Sequence, residues 1–419
     1  MSAFNKAPTG ALVETPAAQF CFHSPPLPGK TTLSMSRQSR ILIVGAGFAG
    51  AVLARELAEA GLRVLLIDSR DHLAGNCHTE RDAGSNVLVH RYGAHIFHTD
   101  REDVWKYVQR FTEFRPFFHR VKASIARGVF GLPITLATIN QFYGKRLSPE
   151  EARKFVDGLG DKSIGEPRNF EEQALKFLGR ELYEAFFHGY SKKQWGCEPR
   201  ELAASILKRL PVRFNYNEGY YTDPWQGMPV EGYTPLFQRL TKHKNITILL
   251  STPWTPEMQS GFTHVVFTGP LDQYFGHRFG RLGYRTVFWE NQSLPGDFQG
   301  TAVINYPEVE KPYTRVIEHK HFTPWETHDR TFISTEYSKE TELHDVPFYP
   351  KRLALDKEVL AKYVKLAQEE PQASFLGRLA TYRYLDMHQV IGESLDFAPQ
   401  LAAAIRAGQP QPTFPATCA

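Results

Sequence analysis

Apolar residues in this chain follow two rhythms. Ile41 to Val44 and Val64 to Ile67 are short continuous apolar runs, the pattern of strands buried on both faces. Between them, Ala51 to Ala60 repeats at helical spacing and Gly61 ends the repeat, so the stretch predicts a strand–helix–strand unit. Farther on, PEEARKFVDGL and FEEQALKFLGRELYEAFF mix charged and apolar residues at helical period. The segment THVVFTGPLD, Thr263 to Asp272, reads as a further buried strand ending in Thr-Gly.

The first unit carries chemistry. Gly45, Gly47 and Gly50 stand in G-x-G-x-x-G spacing between the first strand and the helix. Gly45 permits a tight turn, Gly47 lets backbone approach a pyrophosphate, and Gly50 lets helix and strand pack closely. The helix N-terminus then offers N–H groups and a positive dipole to phosphates. Asp68, closing the second strand, is placed to accept from a ribose diol. Strand, helix, strand and acid together predict a dinucleotide site, against the plainer reading of a glycine-rich turn. Nicotinamide or flavin is left open by this unit. Arg70 and the run Ala74-Gly75-Asn76 just after it, with the later Thr-Gly strand, favour FAD.

Composition narrows the field. With 49 Lys and Arg against 45 Asp and Glu, net +4, and no basic block, general nucleic-acid binding is not expected. Aromatic residues make up 13%, enough to line a ligand site. Four scattered cysteines, Cys21, Cys77, Cys197 and Cys418, read as free thiols in a reducing cytosol, and the protein is expected to be cytoplasmic. No run is long and apolar enough to span a bilayer. Residues 1–34 lack a signal-peptide pattern and read as a disordered leader or expression artefact, with Met35 a candidate natural start.

The strings HRYGAHIFHTD, FFHGYSKKQWG, ILKRLPVRFNY, AVINYP, PYTRVIEHKHF and GRLATYRYLDMHQVIGESL occur in this order. Together, from about Arg40 to Leu395, they resemble the UDP-galactopyranose mutases. One departure is visible: Ala74-Gly75-Asn76 stands where the family has Gly-Gly-Asn, and a positive φ at Ala74 would be strained.

The resemblance implies an α/β fold with three parts. A discontinuous Rossmann-like FAD-binding domain would take 35–102, about 240–285 and 350–400. An inserted helical domain would cover 103–183. A mainly antiparallel β-sheet domain would take about 184–239 and 286–349, with strands at Thr301 to Tyr306, Tyr313 to Glu318 and Thr331 to Thr335. A mobile lid would lie at 200–213, and a homodimer is implied.

The implied reaction interconverts UDP-galactopyranose and UDP-galactofuranose. It proceeds through a covalent adduct between the sugar's anomeric carbon and N5 of reduced FAD, with NADPH or NADH as reductant. Carried over by motif, Arg209 and Arg315 would grip the diphosphate of UDP, supported by Tyr220, Tyr349 and Tyr384. Uracil would lie against Tyr190 beside Phe186, with Trp195 on a loop near the sugar and Asn305 facing galactose. His98 would sit beside the flavin ring, near N5. Gly45, Gly47, Phe48, Gly50, Asp68, Arg70, Asn76, His95, Arg378, Asp386 and Met387 complete the cofactor residues. Any one of these, alone, reads more plainly as a surface charge, a core aromatic or a structural histidine.

His95 with His98, and His319 with His321, also invite a metal reading. No carboxylate-completed ligand set accompanies them in the sequence, so no metal is expected. The rival readings are an amine-oxidase-like FAD oxidoreductase, a catalytically silent flavin or nucleotide-sugar sensor, and a nicotinamide dehydrogenase. Arg209 and Arg315 weigh against the first, the set around His98, Asn305 and Arg315 against the second, and a bound yellow flavin would dismiss the third.

Overall fold

The computed structural model describes residues 40–204, 206 and 212–418. Arg209, Cys21, the expected leader and residues 205 and 207–211 of the expected lid lie outside the described residues.

Strand β1 (Arg40–Val44), helix α1 (Phe48–Glu59) and strand β2 (Arg63–Ile67) form the predicted unit, with α1 starting inside the glycine motif, before Ala51. β1 lies at the centre of a five-stranded parallel sheet, between β2 and the strand His264–Phe267. Its position follows from RILIV: Ile41, Leu42 and Ile43 are fully buried, which an edge strand could not achieve. Ile41 and Ile43 pack beneath Leu53 of α1 and Phe397 and Leu401 of the long helix Met387–Ala407. Leu42 and Val44 face the other way, onto Phe267, Tyr363 and Phe375. The Thr-Gly strand thus returns beside β1, and the carboxyl ends of both strands meet at the glycine motif.

A second sheet of seven strands runs in the order Tyr349–Pro350, Tyr284–Pro295, Arg330–Glu340, Arg315–Glu318, Val303–Asn305, Val121–Ile125, Gly128–Leu132. All its pairings are antiparallel except that of Val303–Asn305 with Val121–Ile125. The three expected strands are present at Val303–Asn305, Arg315–Glu318 and Arg330–Glu340.

The expectation of a helical region over 103–183 needs correction. Phe114–Pro116, Val121–Ile125 and Gly128–Leu132 are strands, the last two forming one edge of the large sheet. Helices resume at Leu136–Tyr143, followed by Pro149–Leu159 and Phe170–Leu178. Pro149–Leu159 opens with a capping box in which Ser148 and Glu151 satisfy each other's backbone N–H. The second amphipathic run breaks at Gly179, φ 76°, where an added Cβ would sit 2.6 Å from the Leu159 carbonyl oxygen. It then continues through Arg180–Tyr183 into a π-helical turn, Glu184–His188, and the helix Gly189–Trp195.

The large sheet also buries charge. Glu318 is fully buried and accepts from the N–H groups of Phe298 (2.9 Å) and Gln299 (2.8 Å). His321 Nε2 lies 3.3 Å from both Glu318 Oε2 and Asp297 Oδ1, and Lys320 Nζ lies 3.2 Å from Asp297 Oδ2. Burial would raise the pKa of Glu318, but the bonds from His321 and Thr331 and the two N–H groups hold it down to about 2. His321 is raised, first by its bond to Glu318, against the effect of burial. Its stabilising contribution is therefore complete below its unfolded pKa of about 6.5 and is lost as pH rises through its higher folded value. His321→Gln is expected to lower Tm more at about pH 5.5 than at about pH 9, measured by thermal melts. An equal loss at both would show that protonation of His321 contributes nothing.

Candidate functional site

The glycine motif builds a cradle. Gly45, φ 105°, donates its N–H to the Ile67 carbonyl at 2.7 Å, and an added Cβ would lie 2.1 Å from Thr268 Oγ1. Gly47 precedes α1 with no side-chain cap, and no acid stands in the first turn. Opposite it lies Gly75, where an added Cβ would meet Gly47 Cα at 3.1 Å. Two stretches of bare backbone thus face each other at an uncapped helix N-terminus, a shape suited to a pyrophosphate. Ala74 does take a left-handed φ of 80°, the strain foreseen from its departure from Gly-Gly-Asn.

Asp68 has a structural task that sequence reasoning missed. Oδ2 accepts the Ala46 N–H at 2.7 Å and Oδ1 the Arg70 N–H at 2.9 Å, which fixes the glycine loop. Each oxygen keeps a second lone pair for a ribose. Arg70 Nη2 donates to Asn76 Oδ1 at 2.8 Å, its guanidinium lies 4.4 Å over the Tyr92 ring, and its Nη1 is buried without a protein partner. That orphaned donor and the bare cradle fit a dinucleotide. Phe48, the first residue of α1, packs its ring on Phe237 at 4.5 Å and on Tyr233.

Beyond the cradle, the large sheet and the helix Gly189–Trp195 bring the expected substrate residues together. Asn305 and Arg315 face each other across the pairing of their two strands. Arg315 Nη2 donates to Glu336 Oε2 at 2.7 Å, and Glu336 is fully buried. Glu336 also accepts from Thr314 Oγ1 at 3.1 Å and Trp289 Nε1 at 3.3 Å. Asn305 Oδ1 and Arg315 Nε are both buried without a protein partner. Such atoms cost about 1–3 kcal/mol each unless something binds them.

Tyr349 and Tyr384 stack at 5.5 Å with rings 11° apart, and Trp195 lies 6.5 Å from each. Trp195 ends its helix rather than standing on a loop. Arg378 is pinned by Nε to the Leu385 carbonyl at 2.9 Å, with its guanidinium 5.1 Å from the Tyr384 ring. Burial raises the Tyr190 hydroxyl pKa, with Arg315, Glu336, Tyr220 and Tyr349 as its electrostatic neighbours. Phe186, four residues before Tyr190, also has a packing role. Its ring is buried against Phe130 and Phe142 at 5.6 and 5.4 Å, as packing of the helical core.

His98 is held more closely than the sequence suggested. Its Nδ1 pairs with Asp223 Oδ2, its ring stacks on Tyr221 at 3.6 Å, and His388 stands edge-on at 4.8 Å. Asp223, Tyr221 and His388 were missed, though the Tyr220-Tyr221 doublet and the step from Met387 to His388 were in view. Among the described residues, carboxylates gather instead around one member of each histidine pair: Asp223 with His98 and His388, and Asp297 and Glu318 with His321, leaving out His95 and His319. His95 differs. Its Nδ1 lies 2.8 Å from the Gly93 carbonyl oxygen, and burial, with Arg378 and Arg315 nearby, lowers its pKa to about 4, so it is neutral. Asp386 precedes the helix Met387–Ala407, where Gln389 Oε1 accepts its N–H at 2.8 Å, and Met387 packs on the core.

Residues 185–384, which contain these groups from Phe186 to Tyr384, match the family model of UDP-galactopyranose mutase. Residues 43–111 match that of an NAD(P)-binding Rossmann-like domain. A probable UDP-galactopyranose mutase of Klebsiella pneumoniae is 50% identical over 374 residues, 89% of this chain and 97% of its own. The chain belongs to the UDP-galactopyranose mutase family. A dTDP-fucopyranose mutase of Escherichia coli is 47% identical, over 86% of this chain and 97% of its own. The crystal structure of a reduced UDP-galactopyranose mutase superposes with a TM-score of 0.68, covering 88% of this chain and 96% of that one. At 15% identity that likeness speaks for the fold alone. Membership of the UDP-galactopyranose mutase family makes this chain an enzyme with a Rossmann-like dinucleotide fold. No helix among its described residues is long and apolar enough to cross a membrane.

Proposed function

We propose that this enzyme interconverts UDP-galactopyranose and UDP-galactofuranose with FAD as its cofactor. The observation that carries the reading is the facing pair Asn305 and Arg315, each with a buried polar atom that lacks a protein partner, beside stacked aromatic rings. A sugar hydroxyl and a diphosphate supply the missing partners, and a flat base suits the Tyr190 helix. The family reading of substrate favours UDP-galactose. The dTDP-fucopyranose mutase relative makes dTDP-fucose the competitor to test.

Gly45, Gly47, Asp68, Arg70 and Asn76 would hold the dinucleotide part of FAD. When bound and reduced, the flavin supplies the nucleophile that the side chains lack. Arg315 carries the negative charge of the departing UDP, fixed in aim by Glu336. With Nδ1 held by Asp223, His98 presents Nε2 to exchange a proton with a ligand. By its motif, Arg209 would add a second diphosphate cation. NADPH or NADH as reductant, a homodimer and a cytoplasmic location complete the proposal.

The test is conversion of UDP-galactofuranose followed by chromatography, with and without dithionite. Formation of UDP-galactopyranose in the reduced sample only is the expected result. Protein that carries FAD and converts nothing in either state would overturn the reading.

A further inference from the structure

Lys193 makes an unusual set of contacts. Its Nζ donates to the carbonyl oxygens of Tyr306 (2.5 Å), Glu308 (2.8 Å), Lys311 (2.9 Å) and Tyr313 (2.9 Å). All four belong to the connection between the strand ending at Asn305 and the strand beginning at Arg315. An ammonium has three protons, so four converging carbonyls form a cage for a compact cation rather than a chance surface contact. Lys193 itself lies on the helix Gly189–Trp195, between Tyr190 and Trp195.

Two further observations show that this helix and this connection are fitted to each other. At Gly189 an added Cβ would lie 2.2 Å from the Pro307 carbonyl oxygen and 3.0 Å from Val309 Cγ1. The far end of the helix is anchored from the sheet. Arg285 donates to the carbonyls of Lys193 (3.2 Å) and Gln194 (3.1 Å), and Ser338 Oγ donates to Gln194 at 2.8 Å. The helix is therefore a fixed post, and Lys193 ties the connection to it.

We propose that Lys193 is a positioning residue that joins the helix bearing Tyr190 and Trp195 to the hairpin bearing Asn305 and Arg315. Base and diphosphate are then gripped in one fixed relative geometry. The inference rests on the nucleotide-sugar reading of the site. Without the ammonium the four carbonyls repel one another, the connection relaxes, and Asn305 and Arg315 lose their setting toward Tyr190.

The test uses the flavin-loaded enzyme, with Lys193→Met, which keeps an unbranched apolar stem and removes the donors, and Lys193→Ala, which opens the cage. UDP affinity, KM and kcat are measured beside flavin content and Tm. Lys193→Met is expected to weaken UDP binding and raise KM by about tenfold or more, with a smaller change in kcat. Propylammonium replaces the atoms that Lys193→Ala lacks, so it is expected to restore UDP affinity to that variant. Tetramethylammonium at equal ionic strength, which has no N–H, is not. Gly189→Ala, which pushes on Pro307 from the other side, is expected to give the same KM-weighted loss. If Lys193→Met fails to fold, the rescue and the Gly189→Ala result decide. UDP affinity within twofold of wild type in the lysine variants would overturn the inference. So would losses that track flavin content and Tm without rescue. Wild-type enzyme that binds no UDP would instead overturn the nucleotide-sugar reading beneath it.

Discussion

Arg315→Ala is expected to lower kcat/KM about a thousandfold. Two charge-assisted bonds to a bound diphosphate would be worth about 1.5–3 kcal/mol each, and about 4 kcal/mol corresponds to a factor of about 10³. The same change leaves Glu336, which is fully buried, without the guanidinium that donates to it at 2.7 Å. Breaking a buried pair from one side costs about 3–5 kcal/mol of stability. Fold and turnover can be separated with the double variant Arg315→Ala, Glu336→Gln, which removes the stranded charge. Its Tm is expected to recover while kcat/KM stays low. If turnover recovers with Tm, Arg315 acts only by holding the sheet together, and its assignment to the diphosphate is wrong.

Gly50→Ala is the second large effect. An added Cβ there would sit 1.9 Å from the Gly45 carbonyl oxygen and 3.0 Å from Ile43 Cγ2. The Gly45 loop has no room to retreat. Gly45 N–H is bonded to Ile67, Ala46 N–H to Asp68, and the Thr268 hydroxyl, which faces Gly45, to the Val44 carbonyl at 2.8 Å. The methyl must displace either α1 or this bonded turn, at a cost of about 3 kcal/mol, and the cradle loses its shape. Purified Gly50→Ala is expected to melt lower and to carry little flavin, judged by the ratio of visible to ultraviolet absorbance. Gly158→Ala is the control. It lies inside the helix Pro149–Leu159 with nothing within 4 Å of the added Cβ. It is expected to raise stability by about 0.5–1 kcal/mol, because alanine loses less backbone entropy than glycine. Normal flavin content in Gly50→Ala would remove the glycine motif from the account of the cofactor.

What the sequence made legible was local. The first strand, the glycine turn, α1 and β2 lie within a single run of chain, and each residue's task there depends on near neighbours. The strand His264–Phe267 was also readable as a buried apolar run ending in Thr-Gly, but its pairing beside β1 emerged only in the fold. The strands at Val121–Ile125 and Gly128–Leu132 were overlooked within a region taken as helical. They are short, and only the alternation of Val121, Ala123 and Ile125 with half-buried Lys122 and Ser124 betrays the first of them.

Partnerships between distant segments were beyond reach. Asp223 meets His98 from a segment on the far side of the helical region, and no spacing rule links the two. Arg315 and Glu336 pair because their strands are in register, which only the folded sheet fixes. For Lys193 the obstacle was different. A lysine in SKKQWG looks like a solvated helix residue, and its cage is made of backbone carbonyls, which carry no sequence signature. The packing of Phe186 was hidden in the same way: the π-helical turn that holds it sets its ring against Phe130.

The most direct test of the central claim is a competition in one vessel: reduced, flavin-loaded enzyme with equal amounts of UDP-galactofuranose and dTDP-fucofuranose, both followed by chromatography. Conversion of the UDP-sugar at least about tenfold faster, abolished when dithionite is omitted, is the result this account predicts. Preferential conversion of the dTDP-sugar, or conversion indifferent to the flavin's redox state, would contradict it.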